Sequence, residues 1–360
     1  VVTNDRPRID YTDTSDGVLL LEKAATNLIT YSEDYSQSVW TKSKTTIISN
    51  SVISPNGTLT ADKLVEDTAF GEHIVYDLLI TSSGNFSHSI FAKAEERSKI
   101  RISSGSNSHK VDFDLLNGSI ILEVGATGSI DSMANGWYKL TLSWNESSSL
   151  PQYAFVSLLD DNGLDSYQGN GSSGLYIWGS QYEVGNLSSY IPTQGSASTR
   201  VAETASGSGN SEVFNDSQGV LFFDGSVFST NENLCISIND GGATGSGNRV
   251  ELLWFSDGKF YTQVGNSGQE FISSNTFNNK ILIKYGSGSY DLYVNGFRRI
   301  TDTFTSMSGL VSLDFKRQGS FTFKGKTKEI GYYNTILTDL ELETLTSYKS
   351  WTSMVNELNL

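Results

Sequence analysis

The sequence predicts an all-β protein built as two β-sandwiches, and three observations carry that expectation. Its 34 glycines and 11% aromatics are the make-up of many short strands joined by tight turns rather than of helices. Stretches such as Tyr290-Asp291-Leu292-Tyr293-Val294 alternate apolar and polar side chains, which sets one face of an extended strand on a core and leaves the other in water. At 360 residues the chain is long for one core and comfortable for two, since domains usually hold about 100–200 residues.

In chain order, residues 1–22 are polar and turn-rich, with Pro7, Asp10, Asp13, Asp16 and Gly17 before VLLLE turns apolar. They are expected to form a connector docking onto the first sandwich. Residues 23–200 are expected to be a jelly roll. In its opening segment, TNLITYSEDYSQSVWTKS, the side chains of Leu28, Tyr31, Tyr35 and Trp40 are placed to tuck non-repetitive chain against the sandwich end. Strands follow at 45–51, 61–66, 73–79, 86–93, 99–103, 110–114, 119–123, 137–144 and 153–159, with turns at Pro55-Asn56-Gly57, Asn117-Gly118 and Asn135-Gly136 between them. GLYIWGSQYEV, from Gly174, closes the domain. Strict alternation along it sends Leu175, Ile177, Gly179, Gln181 and Glu183 one way, and Tyr176, Trp178, Ser180, Tyr182 and Val184 the other.

Gly185, Pro192, Gly195 and a Ser/Thr run then carry the chain out, and residues 201–211 read as a flexible linker. The second sandwich, residues 212–360, restarts strand signals at VLFFDGSVF, and Asn295-Gly296 marks a type I′ hairpin. Thr338 as N-cap with Glu341 three residues on, and Leu342 and Leu345 on one face, predicts a short helix within 338–349. The apolar C-terminal residues Trp351, Met354, Val355 and Leu358 are expected to pack on the protein or on a second subunit.

A formal net charge of −15 argues against nucleic acid as a partner, because phosphate-backbone binders need clustered Lys and Arg. Cys235 is the only cysteine, which excludes a disulfide framework and reads as an ordinary buried thiol. No run nears the roughly 18 apolar residues of a membrane span, and no signal-peptide pattern opens the chain, so a soluble protein without membrane insertion is expected. Beginning at Val1 rather than methionine, the sequence reads as a processed or trimmed piece.

Seven segments in order, PRIDY, LLLEKAATNLITYSEDYSQSVWTK, PNGTLTADKLVED, SIFAKA, FDLLNGSI, NGWYKL and GLYIWGSQYEVGNLSSYIPTQGSASTR, resemble the carbohydrate-binding-like jelly-roll module of bacteriophage tail-fibre and other virion proteins. KILIKYGSGSYDLYVNG and the closing FKGKTKEIGYYNTILTDLELETL resemble laminin-G-like, concanavalin-type sandwiches of phage and bacterial surface proteins. These resemblances imply a virion protein without a catalytic domain, with bacterial surface glycans and other virion proteins as partners. Fibres of this kind commonly trimerise, so a homo-oligomer is expected.

Sugars are held in water by aromatic faces against their C–H side, with amides, carboxylates and Arg on the hydroxyls. Trp40, Trp137, Trp144 and Trp178 supply candidate platforms, with at most one or two expected outside the core and Trp178 inside it. Gln181 and Glu183 form a polar pair on one strand face, with Arg101 and Lys93 as further polar positions and Trp137 or Tyr138 as the stacking ring. In the second half, the polar loop with Asp240 and Asn248 offers oxygen ligands for Ca2+, though calcium wants six to eight oxygens and a plain glycine loop is the simpler reading. Catalysis is harder to build. His73, His88 and His109 sit in no catalytic motif, and Asp112 and Asp114, which share a face, read as solvated edge residues rather than a glycosidase pair. Three functions follow in order: a non-enzymatic virion adhesin for host glycans, a structural virion component using the sandwiches for protein contacts, and a polysaccharide depolymerase.

Overall fold

The all-β expectation holds: the chain folds as strand after strand, with one short α-helix among the described residues. The computed structural model describes residues 8–12, 14–105, 108–228, 232–242, 247–271, 278–317 and 321–348, so Trp351, Met354, Val355 and Leu358 lie outside the described residues. Among the described residues no helix is long and apolar enough to cross a membrane. Two units result, residues 24–201 in one and residues 1–23 with 202–360 in the other.

The N-terminal segment therefore corrects the connector expectation. Strands β1 (Ile9–Asp10) and β2 (Val18–Leu21) pair with each other, and β2 pairs with a C-terminal strand of the second sandwich. Val18, Leu20 and Leu21 are buried, Leu21 in the core of that sandwich. Arg8 then donates to both Glu22 and Glu203, the latter at 2.7 Å, fastening the two ends of the unit where the jelly roll is inserted. VLLLE turns apolar because it supplies an inner strand of the second sandwich's larger sheet, paired with β1 on one side and β27 on the other.

The jelly roll comprises β3 (Ala25–Asn27), β4 (Thr41–Ser43), β5 (Thr45–Ile53), β6 (Leu59–Glu66), β7 (Phe70–Lys93), β8 (Lys99–Ser103), β9 (Lys110–Asp114), β10 (Ser119–Val124), β11 (Thr127–Ser132), β12 (Trp137–Leu159), β13 (Ser166–Gln168), β14 (Gly174–Val184) and β15 (Ser198–Arg200). Its two longest strands, β7 and β12, pair along nearly their whole length and run through both sheets. The first half of β7 and the second half of β12 belong to a front sheet ordered β10-β9-β8-β12-β7-β4. Their other halves join a back sheet ordered β11-β12-β7-β14-β6-β5. Ile100, Ile102, Val111, Phe113 and Val156 from the front meet Ile90, Leu140, Leu142, Ile177 and Tyr182 from the back in one core. The opening segment packs as its residues imply: Tyr35 and Trp40 are buried with ring centroids 4.6 Å apart, and the Trp40 indole donates to the Tyr31 carbonyl.

The second sandwich adds β16 (Gln218–Val227), β17 (Leu234–Asn239), β18 (Arg249–Trp254), β19 (Phe260–Val264), β20 (Ser267–Phe271), β21 (Asn278–Gly286), β22 (Ser289–Val294), β23 (Phe297–Thr303), β24 (Ser312–Asp314), β25 (Lys316–Arg317), β26 (Phe321–Thr322) and β27 (Gly325–Tyr333). A seven-stranded sheet, β1-β2-β27-β16-β21-β22-β23, packs on a five-stranded one, β20-β19-β18-β17-β24. Asn295 and Gly296 both take positive φ at the β22–β23 turn, as a type I′ hairpin requires. Helix α1 (Asp339–Thr346) starts in a capping box made by Thr338 and Glu341. It lays Leu342 on Val220, Phe222, Leu282 and Tyr293, the outer face of the larger sheet.

Leu21→Ala is expected to destabilise by about 2–5 kcal/mol, the usual cost of a core Leu truncation, and to do so in the second sandwich. Hydrogen exchange would read this as faster exchange in β16 and β27 with β7 and β12 unchanged. Equal loss in both units would contradict the pairing of β2 with β27. A second expectation concerns Asp77, buried on β7, whose pKa burial raises to about 6 against a backbone hydrogen bond at Leu78. A folded-state pKa above the unfolded value means that stability is full below about pH 4 and is lost as pH rises through 6. Asp77→Asn should therefore stabilise by roughly 1–2 kcal/mol at pH 8 and by nothing at pH 4, read from melting temperatures across that range.

Candidate functional site

Alternation along the front sheet commits Val75, Ala154, Val156, Leu158, Ile100, Ile102, Val111 and Phe113 to the core, so the residues between them face outward. Register places these in rows across five strands. Lys110, Ser103, Phe155, Tyr76 and Thr41 form one row, and Asp112, Arg101, Ser157, Ile74 and Ser43 the next. Tyr76 and Phe155 are directly opposed and their rings stack, centroids 4.5 Å apart and planes within 3°. Tyr153 meets both edge-on, and all three side chains remain half-buried rather than covered. Gly105, at φ +87°, lets the loop after β8 close on this cluster, because a Cβ there would stand 2.6 Å from Tyr153 and 2.8 Å from Phe155.

Beside the rings lies a charged web. Arg101 donates through Nε and Nη2 to the two oxygens of Asp112 at 2.6 and 2.9 Å, and through Nη1 to Asp165. Burial works against the guanidinium's charge, and the hydrogen bonds and charges of Asp112 and Asp165 outweigh it, so its pKa is raised. Tyr76, Phe155, Arg101 and Asp165, with Ser43, Ser103, Ser157, Lys110 and Glu72, line a cleft of about 340 Å3. An apolar ring surface beside fixed hydroxyl, carboxylate and guanidinium groups is what stacking on a sugar and holding its hydroxyls require.

Of the ligand-binding residues expected from sequence, Arg101 is the one this cleft contains, and it is only 8% exposed. Trp137 is not a platform: at 2% exposure it is packed with Trp178, Phe91 and Ala61 on the outer side of the back sheet, its indole donating to the Ile53 carbonyl. Tyr138, one residue on, points to the opposite side and packs half-buried against the jelly-roll core. Trp40, Trp144 and Trp178 are buried as well. Lys93 is half-buried on β7 opposite Trp137, away from the cleft.

Gln181 and Glu183 are each 1% exposed, and the reason is a β-bulge. β14 pairs Trp178 with Phe91 but Gln181 with Ser89, so one extra residue is accommodated at Gly179, whose φ is +65°. The alternation flips there. Tyr182 joins Ile177 and Leu175 in the core, while Gln181 and Glu183 move to the side of Trp178. The displaced backbone stays satisfied, since Ser180 N–H donates to the Ser32 carbonyl and the Ser180 carbonyl accepts from Asn27. Glu183 accepts from the Ser188 N–H and hydroxyl at 2.7 and 2.6 Å, and Gln181 accepts from the Ile191 N–H. The polar pair anchors the chain leaving the strand and is closed to a ligand.

Asp112 and Asp114 are buried rather than solvated: the first is forked by Arg101 and the second caps the turn through Leu116 and Asn117. In the second sandwich, Asn248 turns its amide N–H2 toward Asp240 at 3.0 Å and its oxygen toward the Ser308 N–H. These two do not present paired oxygens to a cation, and among the described residues no group of three or more His, Cys, Asp or Glu is placed to hold a metal.

A second cavity, about 560 Å3, lies at the jelly-roll end between Tyr31, Glu33, Asp34, Asn50, Asp62 and Gln194. Burial raises the Asp62 pKa to about 6, against backbone hydrogen bonds from Asn50 and Tyr35, and burial raises that of Glu33 too. Tyr76, Phe155, Tyr153 and Asp165 were missed by sequence reasoning. The available signal was an aromatic at the outward position of two alternating strands, 73–79 and 153–159, which periodicity identifies one strand at a time without pairing them.

Arg101→Ala should leave Asp112 as an uncompensated buried charge and cost about 3–5 kcal/mol, read as a lower melting temperature of the jelly roll. Asp165→Asn, at the solvent side of the same web, should cost well under half of that.

No protein-family model matches the chain, and no curated protein matches it. Among solved structures it is similar to the Ruminococcus gnavus IT-sialidase CBM40, at 19% identity over 40% of this chain and 94% of that one, with a TM-score of 0.32. The same module bound to alpha2,3 sialyllactose gives 18% identity, the same coverages and 0.31. Mouse laminin alpha1 chain domains LG4-5 give 10% identity over 74% of this chain and 86% of that one, with a TM-score of 0.27.

Proposed function

We propose that the chain is a non-enzymatic adhesin of a bacteriophage particle, tail-fibre-like, whose jelly roll holds glycans of the bacterial surface in its front-sheet cleft. The observation that carries this reading is the stacked, half-exposed ring pair of Tyr76 and Phe155 set beside Arg101, Asp165 and Glu72 in one concavity. The phage setting rests on the resemblance of the sequence to virion modules. A binding role is favoured over a depolymerase because Asp112, Asp114 and Asp165, three of the four carboxylates on this side of the jelly roll, are engaged by Arg101 or by turn N–H groups. One shallow cleft gives weak binding, so several copies on a particle, as in a homo-oligomeric fibre, would supply the avidity attachment needs.

The test is binding of the intact chain to a glycan array and to host cells with and without surface polysaccharide. Tyr76→Ala and Phe155→Ala should each weaken binding at least tenfold, as expected for losing about 1–2 kcal/mol or more of stacking and buried area, with melting temperature confirming the fold. Unchanged binding by both folded variants would remove the front sheet as the site.

A further inference from the structure

This inference rests on the front-sheet cleft being a glycan site and deepens that reading. We propose that the cleft selects an uncharged sugar and turns away sugars bearing a carboxylate. An arginine captures a carboxylate through a fork of two parallel N–H groups. In Arg101 the Nε–Nη2 fork is already filled by Asp112, and Nη1 already donates to Asp165. Two N–H groups remain, one on Nη1 and one on Nη2, and because each of those nitrogens already serves an aspartate a second carboxylate finds no unshared fork.

The charge around the cleft points the same way. Its lining holds two cations, Arg101 and Lys110, and two anions, Glu72 and Asp165, with Asp112 directly behind the guanidinium. The site therefore carries more negative than positive charge, and an incoming carboxylate would meet Asp165, whose side chain is about one-third exposed beside Arg101. Such repulsion acts as a rejection device, since specificity is a difference between partners and like charge raises it. The rest of the polar lining is uncharged, with the hydroxyls of Ser43, Ser103 and Ser157 able to donate or accept toward sugar hydroxyls.

The experiment uses the full chain on an array of matched pairs, each a neutral oligosaccharide and its sialylated or uronate-bearing counterpart, with calorimetry on the best pair. Neutral members should bind at least ten times more tightly than their acidic partners. Glu72→Gln, an exposed position, should reduce that ratio several-fold, as should raising the salt concentration, which screens the repulsion. Acidic members binding as tightly as neutral ones, or more tightly, would overturn the selection while leaving the glycan site in place. No binding to any saccharide by folded protein would overturn the glycan reading and this inference with it.

Discussion

The pairing of β7 with β12 is the constraint on which the jelly roll depends. Both strands pass through the two sheets, so their register fixes at once which residues enter the core from the front and from the back. Because side chains alternate with period two, a one-residue slip would exchange every inward group for an outward one. Tyr76 and Phe155 would then enter the core while Val75 and Val156 met solvent. The candidate site is thus the complement of the core: it exists where it does because hydrophobic burial has already chosen the other face.

That same logic explains what the sequence could and could not disclose. The strands at 99–103 and 110–114 were legible to the residue, as were the Asn295-Gly296 hairpin and the Thr338 cap, because each is decided by neighbours in the chain. The site residues were misplaced where a local rule was broken by one residue. Alternation read straight through Gly179 puts Gln181 and Glu183 opposite Trp178, whereas the bulge puts them on the same side and buries them. A glycine inside a strand is the warning such a bulge gives, and it was there to be read. The N-terminal strand was hidden for a different reason: the partner of Leu20 is Lys326, and pairing at that separation leaves no trace in periodicity.

Polar burial shows a division of labour between the two faces of the jelly roll. On the back, Gln181, Glu183 and Asn27 spend their hydrogen bonds on one another, on the Ser188 hydroxyl and on backbone N–H and carbonyl groups of the bulge and of the segment after β14. Every bond there is internal, which rigidifies the chain but leaves nothing for a ligand. On the front, Arg101 is buried too, yet its web ends at Asp165, whose side chain is about one-third exposed. A buried ion pair is weak evidence for stability on its own. A web anchored in the sheet and open at one end instead fixes the direction in which its last polar groups point.

Fixed direction matters more than strength for recognising a sugar. Hydroxyls compete poorly with water unless their partners are already held in place, and the cost of ordering long side chains is what a preformed site avoids. Here Arg101 is held by Asp112 from the neighbouring strand, Tyr76 and Phe155 hold each other by stacking, and the Gly105 loop closes on the rings because it carries no side chain. Each element is set by a strand pair or a turn rather than by a mobile side chain. On the proposed reading, such a cleft meets its sugar with contacts already in place, and repetition of the chain would be the route to firm attachment.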